Sequence, residues 1–478
     1  MKHNLISKKL QALLAFSLVI SMLLVPGCKK KDTSGQGTPE STVAPAKSVD
    51  EIFAKGDKDY YVPFQNPDHS YCTINDGYGT PVREQGTGGC FAYAAVSSMQ
   101  SNYLKKHGEL IDLNPIDLLN RIYTVVEDVE NADPKTFTEE KYYVSGAAAG
   151  DLGGDVTRVA GVLCADPLNG YLLVESNQII DPTLDEIKEW IREYGACTIV
   201  VNYKKASKEI HGYRTQNYSG TDTDHVATIV GWDDDFPADC FLTPASQNGA
   251  WLVQNSFGTL YGNCGYYWIS YDQKIEFMQN CEVSNEYSSA ITYGRFPVTS
   301  VCAPEGIEKI KAGAASEDFT DEEICSWGDA SVASVYSKKG DIAAIGFWTT
   351  LLGQTYTIEI RDGEFGEVLS TKSGSFDTLG YHTVELDAPV SVKKFTVVLT
   401  MSGLVSCEGI SNERTVSTFA GRVPCHYEAK TEKGHSYFMF NGEWVDITDP
   451  DFFDMLGLRG VEGVTDECGD PCITVLFK

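Results

Sequence analysis

TPVREQGTGGCFAYAAVSSMQSNYL, from Thr80 to Leu104, holds the densest chemical signal in the first half of the chain. Gly86, Gly88 and Gly89 lead into Cys90, and after it Ala92, Ala94, Ala95, Val96, Met99 and Leu104 predict a helix with a buried face. Cys90 therefore falls at a helix N-terminus, where open backbone N–H groups and the helix dipole favour a thiolate. A thiolate attacks carbonyl carbon. A lone cysteine at a helix start is more often a small buried hydrophobe, so the chemistry depends on what else the chain supplies.

Two later stretches supply it. Asp224-His225-Val226-Ala227-Thr228-Ile229-Val230 places a histidine at the head of a β-branched run that predicts a buried strand. Trp251-Leu252-Val253-Gln254-Asn255-Ser256-Phe257-Gly258 places an asparagine at the end of another, and Gly265-Tyr266-Tyr267-Trp268-Ile269 reads as the strand that follows. A nucleophile, a proton acceptor and a group that orients the acceptor need these residue types. Between them, Thr183-Leu184-Asp185-Glu186 is a capping box. It opens a helix with Ile187, Trp190, Ile191 and Tyr194 on one face, followed by Gly195 and the strand Thr198-Ile199-Val200-Val201.

On these residues the region from about Tyr71 to Val283 resembles the papain family of cysteine peptidases. Gln85 stands in a QG turn where that family has its oxyanion glutamine. Leu113 to Asn120 resembles the segment after the nucleophile helix, and Leu152-Gly153-Gly154 resembles the double glycine whose second member pairs with substrate. The resemblance implies a two-lobed domain in which Cys90 attacks a peptide carbonyl and His225 passes the proton to the leaving amine. Asn255 would orient the imidazole, and Gln85 with the Cys90 N–H would bind the oxyanion; Gly153 and Gly154 are the implied substrate-binding residues. Thr87 and Phe91 stand where the family has a disulfide cysteine and a tryptophan, and Phe257 stands where it has another tryptophan. The residues between the tether and Tyr71 are too few for the family's usual inhibitory pro-segment. The resemblance implies no cofactor.

Upstream, residues 1–27 carry Lys2, Lys8 and Lys9, an apolar run from about Leu10 to Val25 and no acidic residue, the pattern of an export signal. Val25-Pro26-Gly27-Cys28 resembles a bacterial lipobox, which makes Cys28 the lipid attachment and first mature residue. Lys29, Lys30 and Lys31 add attraction to anionic head groups. Residues 28–48 are rich in Ser, Thr, Gly, Pro and Ala and read as a flexible tether. The expected location is the outer face of a bacterial cell membrane.

The 478-residue chain has 38 Lys+Arg against 67 Asp+Glu, a formal charge of -29. That charge repels phosphate, and no Lys/Arg stripe overrides it, so nucleic acid is excluded as a partner. Fourteen cysteines are scattered without the paired CxxC spacing of a structural zinc, so no metal is expected. Cys468-Gly469-Asp470-Pro471-Cys472 reads as a disulfide or two plain thiols.

Beyond Val298 the pattern turns to strands. Tyr356, Ile358 and Ile360 alternate with polar residues, as do Phe395, Val397 and Leu399, and Asn441-Gly442 is a hairpin turn between Tyr437–Phe440 and Glu443–Ile447. This predicts a β-sandwich. It resembles the lectin-like β-domains that follow bacterial papain-like peptidases, though Trp348 and Trp444 read first as packing residues. Asp446, Asp449 and Asp451 read as a solvated loop.

The expected fold class is α+β: a papain-like catalytic domain over 49–297, then an all-β lectin-like or jelly-roll sandwich over 298–478. The expected function is a surface-anchored cysteine endopeptidase acting on proteins or peptides, held to the membrane by a lipid on Cys28, with a C-terminal domain that docks on a glycan or surface ligand. Two alternatives share the same features: an adhesin with a degenerate peptidase domain, and a hydrolase of cell-wall stem peptides.

Overall fold

The computed structural model describes residues 47–53, 61–86, 88–129, 131–133, 136, 141–145, 154, 156–203, 207–220, 223–314, 318–409, 411–418, 421–429, 431–461, 464 and 468–478. Cys28, its signal, most of the tether and Gly153 lie outside the described residues. Among the described residues, no helix is long and apolar enough to cross a membrane.

The helix Cys90–His107 runs through the middle of the N-terminal half. Its start is shaped by packing: a Cβ on Gly89 would lie 2.6 Å from Leu119 Cδ1, so only glycine lets the helix Pro115–Ile122 come this close. Its end is set by Gly108, whose φ of 72° is the left-handed conformation of a glycine cap and whose N–H donates to Leu104 O. The sequence predicts one buried face, but Phe91 through Tyr103 are all buried. The reason is that the polar side of this helix has partners. Gln100 Nε2 donates to Ile111 O at 2.6 Å, Ser101 Oγ to Tyr78 O at 2.9 Å and Asn102 Nδ2 to Tyr194 O at 3.2 Å, while Ser98 Oγ accepts from Cys281 N at 3.1 Å. Satisfied hydrogen bonds remove most of the cost of burying these groups.

Antiparallel strands flank the helix. His225–Asp233 is the central one: it pairs with Cys197–Val201, with Ser70–Cys72 and with Ala250–Gln254, which in turn pairs with Tyr266–Ser270. All nine residues of His225–Asp233 are buried, as a strand covered on both faces requires. The helix Leu184–Tyr194 lies over this sheet. Its capping box is formed as the sequence predicts, with Thr183 accepting from the Glu186 N–H and the Glu186 carboxylate reaching back to the Thr183 N–H at 2.7 Å. Ile187, Trp190 and Ile191 are its buried residues.

The C-terminal half is built on two long strands, Asp329–Thr349 and Leu379–Ser402, paired along their whole length with irregularities between Ser337 and Gly340 and between Ile342 and Ala344. Thr355–Asp362 adds to this pair and to Val368–Ser375. The expected hairpin at Asn441-Gly442 is present, both residues having positive φ (53° and 84°), as a tight hairpin turn demands. Three short helices, Pro304–Lys311, Asp321–Cys325 and Phe452–Leu456, accompany the strands. Trp348 is buried against Tyr381, whereas Trp444 is half-buried and stacked on Phe365. Asp446 accepts from the Gly434 and Thr448 N–H groups, and Asp449 from that of Asp451, so these acids shape turns.

The two halves share hydrogen-bonded strands. Leu379, Gly380 and Tyr381 pair with Gln178, Asn177 and Ser176, and the last strand, Thr474–Phe477, pairs with both Ser289–Thr292 and the first long strand. Across this seam buried His382 meets Glu175 at 2.9 Å. Twelve cysteines, Cys468 and Cys472 among them, are free thiols.

Candidate active site

Cys90 opens the central helix and is half-buried. The backbone N–H groups of Val226 and Phe91 act on its thiol, which lies near the first residues of the strand that His225 begins. Burial pushes the thiol up to about 11, the Asp224 carboxylate pushes the same way, and the two N–H groups pull it down. Burial wins, so the sulfur ionises readily only if a nearby base takes its proton.

His225 is buried, with Nε2 2.8 Å from Asn255 Oδ1. The Ser256 N–H also donates to Asn255 Oδ1, at 2.8 Å. A backbone N–H can only donate, which fixes the orientation of the Asn255 amide. Phe257 stacks on the imidazole, centroids 5.1 Å apart and 27° between planes, where the related family has a tryptophan.

Tyr203 was not legible in the sequence as a site residue. Its ring lies 5.3 Å from that of His225, 4.8 Å from Phe257 and 6.0 Å from Tyr261. It is held there because its N–H donates to Asp224 Oδ1 at 2.7 Å. Two aromatic rings, Tyr203 and Phe257, thus border the imidazole, with Tyr261 packed against both, and this cover keeps water from its bond to Asn255.

Gln85 joins the same group. Its N–H donates to Ser256 O at 2.8 Å, and its Oε1 accepts from the Ser256 hydroxyl. The neighbouring Glu84 bridges to Phe257. Ser256 therefore ties the segment before Cys90 to the strand end that carries Asn255. Gly154 lies against Phe91, the residue after Cys90: a Cβ there would be 2.8 Å from Phe91 Cε1 and 2.6 Å from Tyr123 Oη. Cys90, His225, Asn255, Gln85 and Gly154 thus converge on one region. Among the described residues, no group of three or more His, Cys, Asp or Glu is placed to hold a metal ion.

A thiol, an imidazole and an amide thus stand on a helix start and two strand ends of a papain-like fold. A family model for Papain family cysteine protease matches residues 166–291, which include His225 and Asn255 but not Cys90, and one for Lectin like domain matches residues 322–455. The chain thus carries a papain-family peptidase domain followed by a lectin-like domain. It is 23% identical over 206 residues to cathepsin K of Mus musculus and 25% identical over 204 residues to the oryzain gamma chain of Oryza sativa subsp. japonica. In each case the match takes in 40% of this chain, and the chain spans only 56% and 52% of the length of these relatives. Among solved structures it is similar to the clostridial cysteine protease Cwp84 after propeptide cleavage, with a TM-score of 0.60 and 18% identity over 86% of this chain and 99% of that one. A second structure holds the cysteine protease and lectin-like domains of Cwp84, a surface layer associated protein of Clostridium difficile. It aligns with a TM-score of 0.59 and 17% identity over 86% of this chain and 88% of that one. At such identity the likeness shows the fold, and it spans both domains.

Proposed function

We propose that this protein is a cysteine endopeptidase in which Cys90 is the nucleophile, His225 the proton carrier, Asn255 its orienting partner and Gln85 an oxyanion donor. The observation that carries the proposal is the buried His225–Asn255 hydrogen bond under Phe257, with the Cys90 thiol at a helix start beside the same strand. His225 takes the Cys90 proton as the sulfur adds to the peptide carbonyl, forming a C–S bond and an oxyanion. The Cys90 N–H and the Gln85 amide stabilise that oxyanion, an effect worth about 2.7–4 kcal/mol per donor in comparable sites. Collapse breaks the C–N bond as the imidazolium protonates the leaving amine. Water, deprotonated by His225, then releases the acyl group and restores the thiol. Gly153 and Gly154 line the substrate groove on this reading.

The protein is exported, cleaved before Cys28 and held by lipid on the outer membrane face, with residues 49–297 as the peptidase and 298–478 as a module that docks on a glycan or surface partner. The support is the lipobox-like Val25–Cys28, the acidic chain and the likeness to a surface layer associated protein. The test is incubation of residues 49–478 with unfolded protein, a peptide library and purified cell wall. Release of peptides by wild type but not by Cys90→Ala is expected. Release of wall stem peptides alone would make it a wall hydrolase, and cleavage of nothing would make it an adhesin.

A further inference from the structure

A small sheet joins the two domains near Gly154. The peptidase strands Tyr123–Val126 and Tyr142–Ser145 pair in parallel, and Gly421–Glu428 of the lectin-like domain adds antiparallel to the second of them, with Cys425 opposite Val144 and His426 opposite Tyr143. The next residue, Tyr427, is fully buried, its ring 5.0 Å from that of Tyr142 and 4.9 Å from that of Phe296. Tyr142 in turn faces a buried cation. The Arg158 guanidinium carbon lies 4.1 Å from its ring centroid, and Arg158 is only 4% exposed. Burying a guanidinium is costly unless its donors are met. Nη1 is met by Tyr123 Oη, to which it donates at 2.6 Å.

Tyr123 Oη is the atom against which Gly154 rests. A Cβ on Gly154 would lie 2.6 Å from it and 2.8 Å from two ring carbons of Phe91, the residue after Cys90. Gly154 is thus wedged between the start of the nucleophile helix and one phenolic oxygen. Arg158 fixes that oxygen from four positions further along the chain, so both ends of the segment 154–158 meet the same tyrosine. Phe91, Tyr123, Tyr142, Phe296 and Tyr427 belong to one apolar core. The contacts run in series from Gly154 through Tyr123, Arg158 and Tyr142 to Tyr427, which the lectin-like domain supplies.

We propose that Arg158 and Tyr427 are positioning residues for the substrate groove: they hold Tyr123, and through it Gly154, so the lectin-like domain supports the floor on which the substrate backbone lies. This rests on the reading of Gly154 as a groove residue given above. A glycine that pairs with substrate through its backbone must keep its N–H and C=O aimed at the groove. It has no side chain to anchor it, so the aim comes from what packs behind it.

The test uses the full-length protein. Tyr427→Ala removes the ring that the lectin-like domain supplies, Tyr427→Phe keeps it, and Tyr123→Phe removes only the oxygen. KM for a peptide substrate is expected to rise about fivefold in Tyr427→Ala and Tyr123→Phe with kcat within about twofold of wild type, the mark of a contact shared by ground and transition states. Tyr427→Phe is expected to restore KM. Alkylation of Cys90 by iodoacetamide, which is too small to need the groove, is expected to keep its rate in all three. Hydrogen exchange at the amides of residues 154–158 is expected to quicken in Tyr427→Ala and Tyr123→Phe. Unchanged exchange in both overturns the positioning role. Quickened exchange with unchanged KM overturns the groove role, by way of the reading of Gly154 beneath it. A fall in alkylation as large as the fall in kcat/KM shows a general distortion at Cys90 and overturns the proposal too. If Tyr427→Ala does not fold, Tyr123→Phe, which loses a single atom, decides alone.

Discussion

Ser256 grips Gln85 at two points: its carbonyl accepts the Gln85 N–H at 2.8 Å and its hydroxyl donates to Gln85 Oε1. Since Ser256 also donates its own N–H to Asn255, one residue holds the expected oxyanion donor and the orienting amide in fixed relation. Ser256→Ala should therefore lower kcat by about tenfold with little change in KM, the mark of a group used only in the transition state. Gln85→Ala should cost more, about a hundredfold. Steady-state kinetics on a peptide substrate measures both, and wild-type kcat in Ser256→Ala would remove the clamp from the mechanism.

Burial holds the Cys90 thiol at about 11, so its ionisation near neutrality depends on His225 as the proton acceptor. In wild type, iodoacetamide should alkylate Cys90 at neutral pH. In His225→Ala the rate at pH 7 should fall by at least a hundredfold and climb with pH toward about 11. A rate profile indifferent to His225 would show that the two do not act as a pair. Asn255→Ala should weaken hydrolysis less than His225→Ala, because the imidazole remains and loses only its orientation.

Phe257 screens the His225–Asn255 bond, which makes the size of the ring matter. Phe257→Ala should admit water to that bond and reduce kcat by about tenfold, while Phe257→Trp should retain most of the activity. Parallel near-ultraviolet spectra would separate a local loss of cover from unfolding.

Alkaline pH should destabilise the fold through its buried thiols. Burial raises Cys72 and Cys281 from 9.0 to about 12 and Cys302 to about 11, whereas the unfolded chain ionises these groups near their ordinary value. Below about 9 both states hold the proton and stability is undiminished. Between about 9 and 12 only the unfolded state releases it, so stability falls as pH rises. Melting midpoints from pH 8 to pH 11 should decline, less steeply in Cys281→Ala after correction for its lower starting value.

Gly154→Ala places a methyl within 2.6 Å of Tyr123 Oη and 2.8 Å of two Phe91 ring carbons. Overpacking of this kind costs about 1–3 kcal/mol. Urea denaturation should show that loss, and because Phe91 adjoins Cys90, activity should fall along with stability.

Much of this protein is written in short segments. The glycine-led start at Cys90, the Thr183–Glu186 capping box and the Asn441-Gly442 turn are made by residues within a few positions of one another, and each is found where the local pattern predicts it. The order of Cys90, His225 and Asn255 pointed to the chemistry for the same reason, since each sits at an element boundary marked by its neighbours. Three features had no such mark. The central helix is buried all round because Tyr78, Ile111, Tyr194 and Cys281 come from elsewhere to satisfy its polar side. The length of the strand Asp329–Thr349 was hidden by Ser337-Lys338-Lys339-Gly340, a turn-like stretch that long-range pairing with Leu379–Ser402 carries through as an irregularity. Tyr203 over His225, and Gln85 against Ser256, arise where separate segments meet. The sequence by itself determined which groups begin and end each element. Tertiary packing alone decided which of them share a desolvated space, because that depends on contacts between segments that no local pattern links.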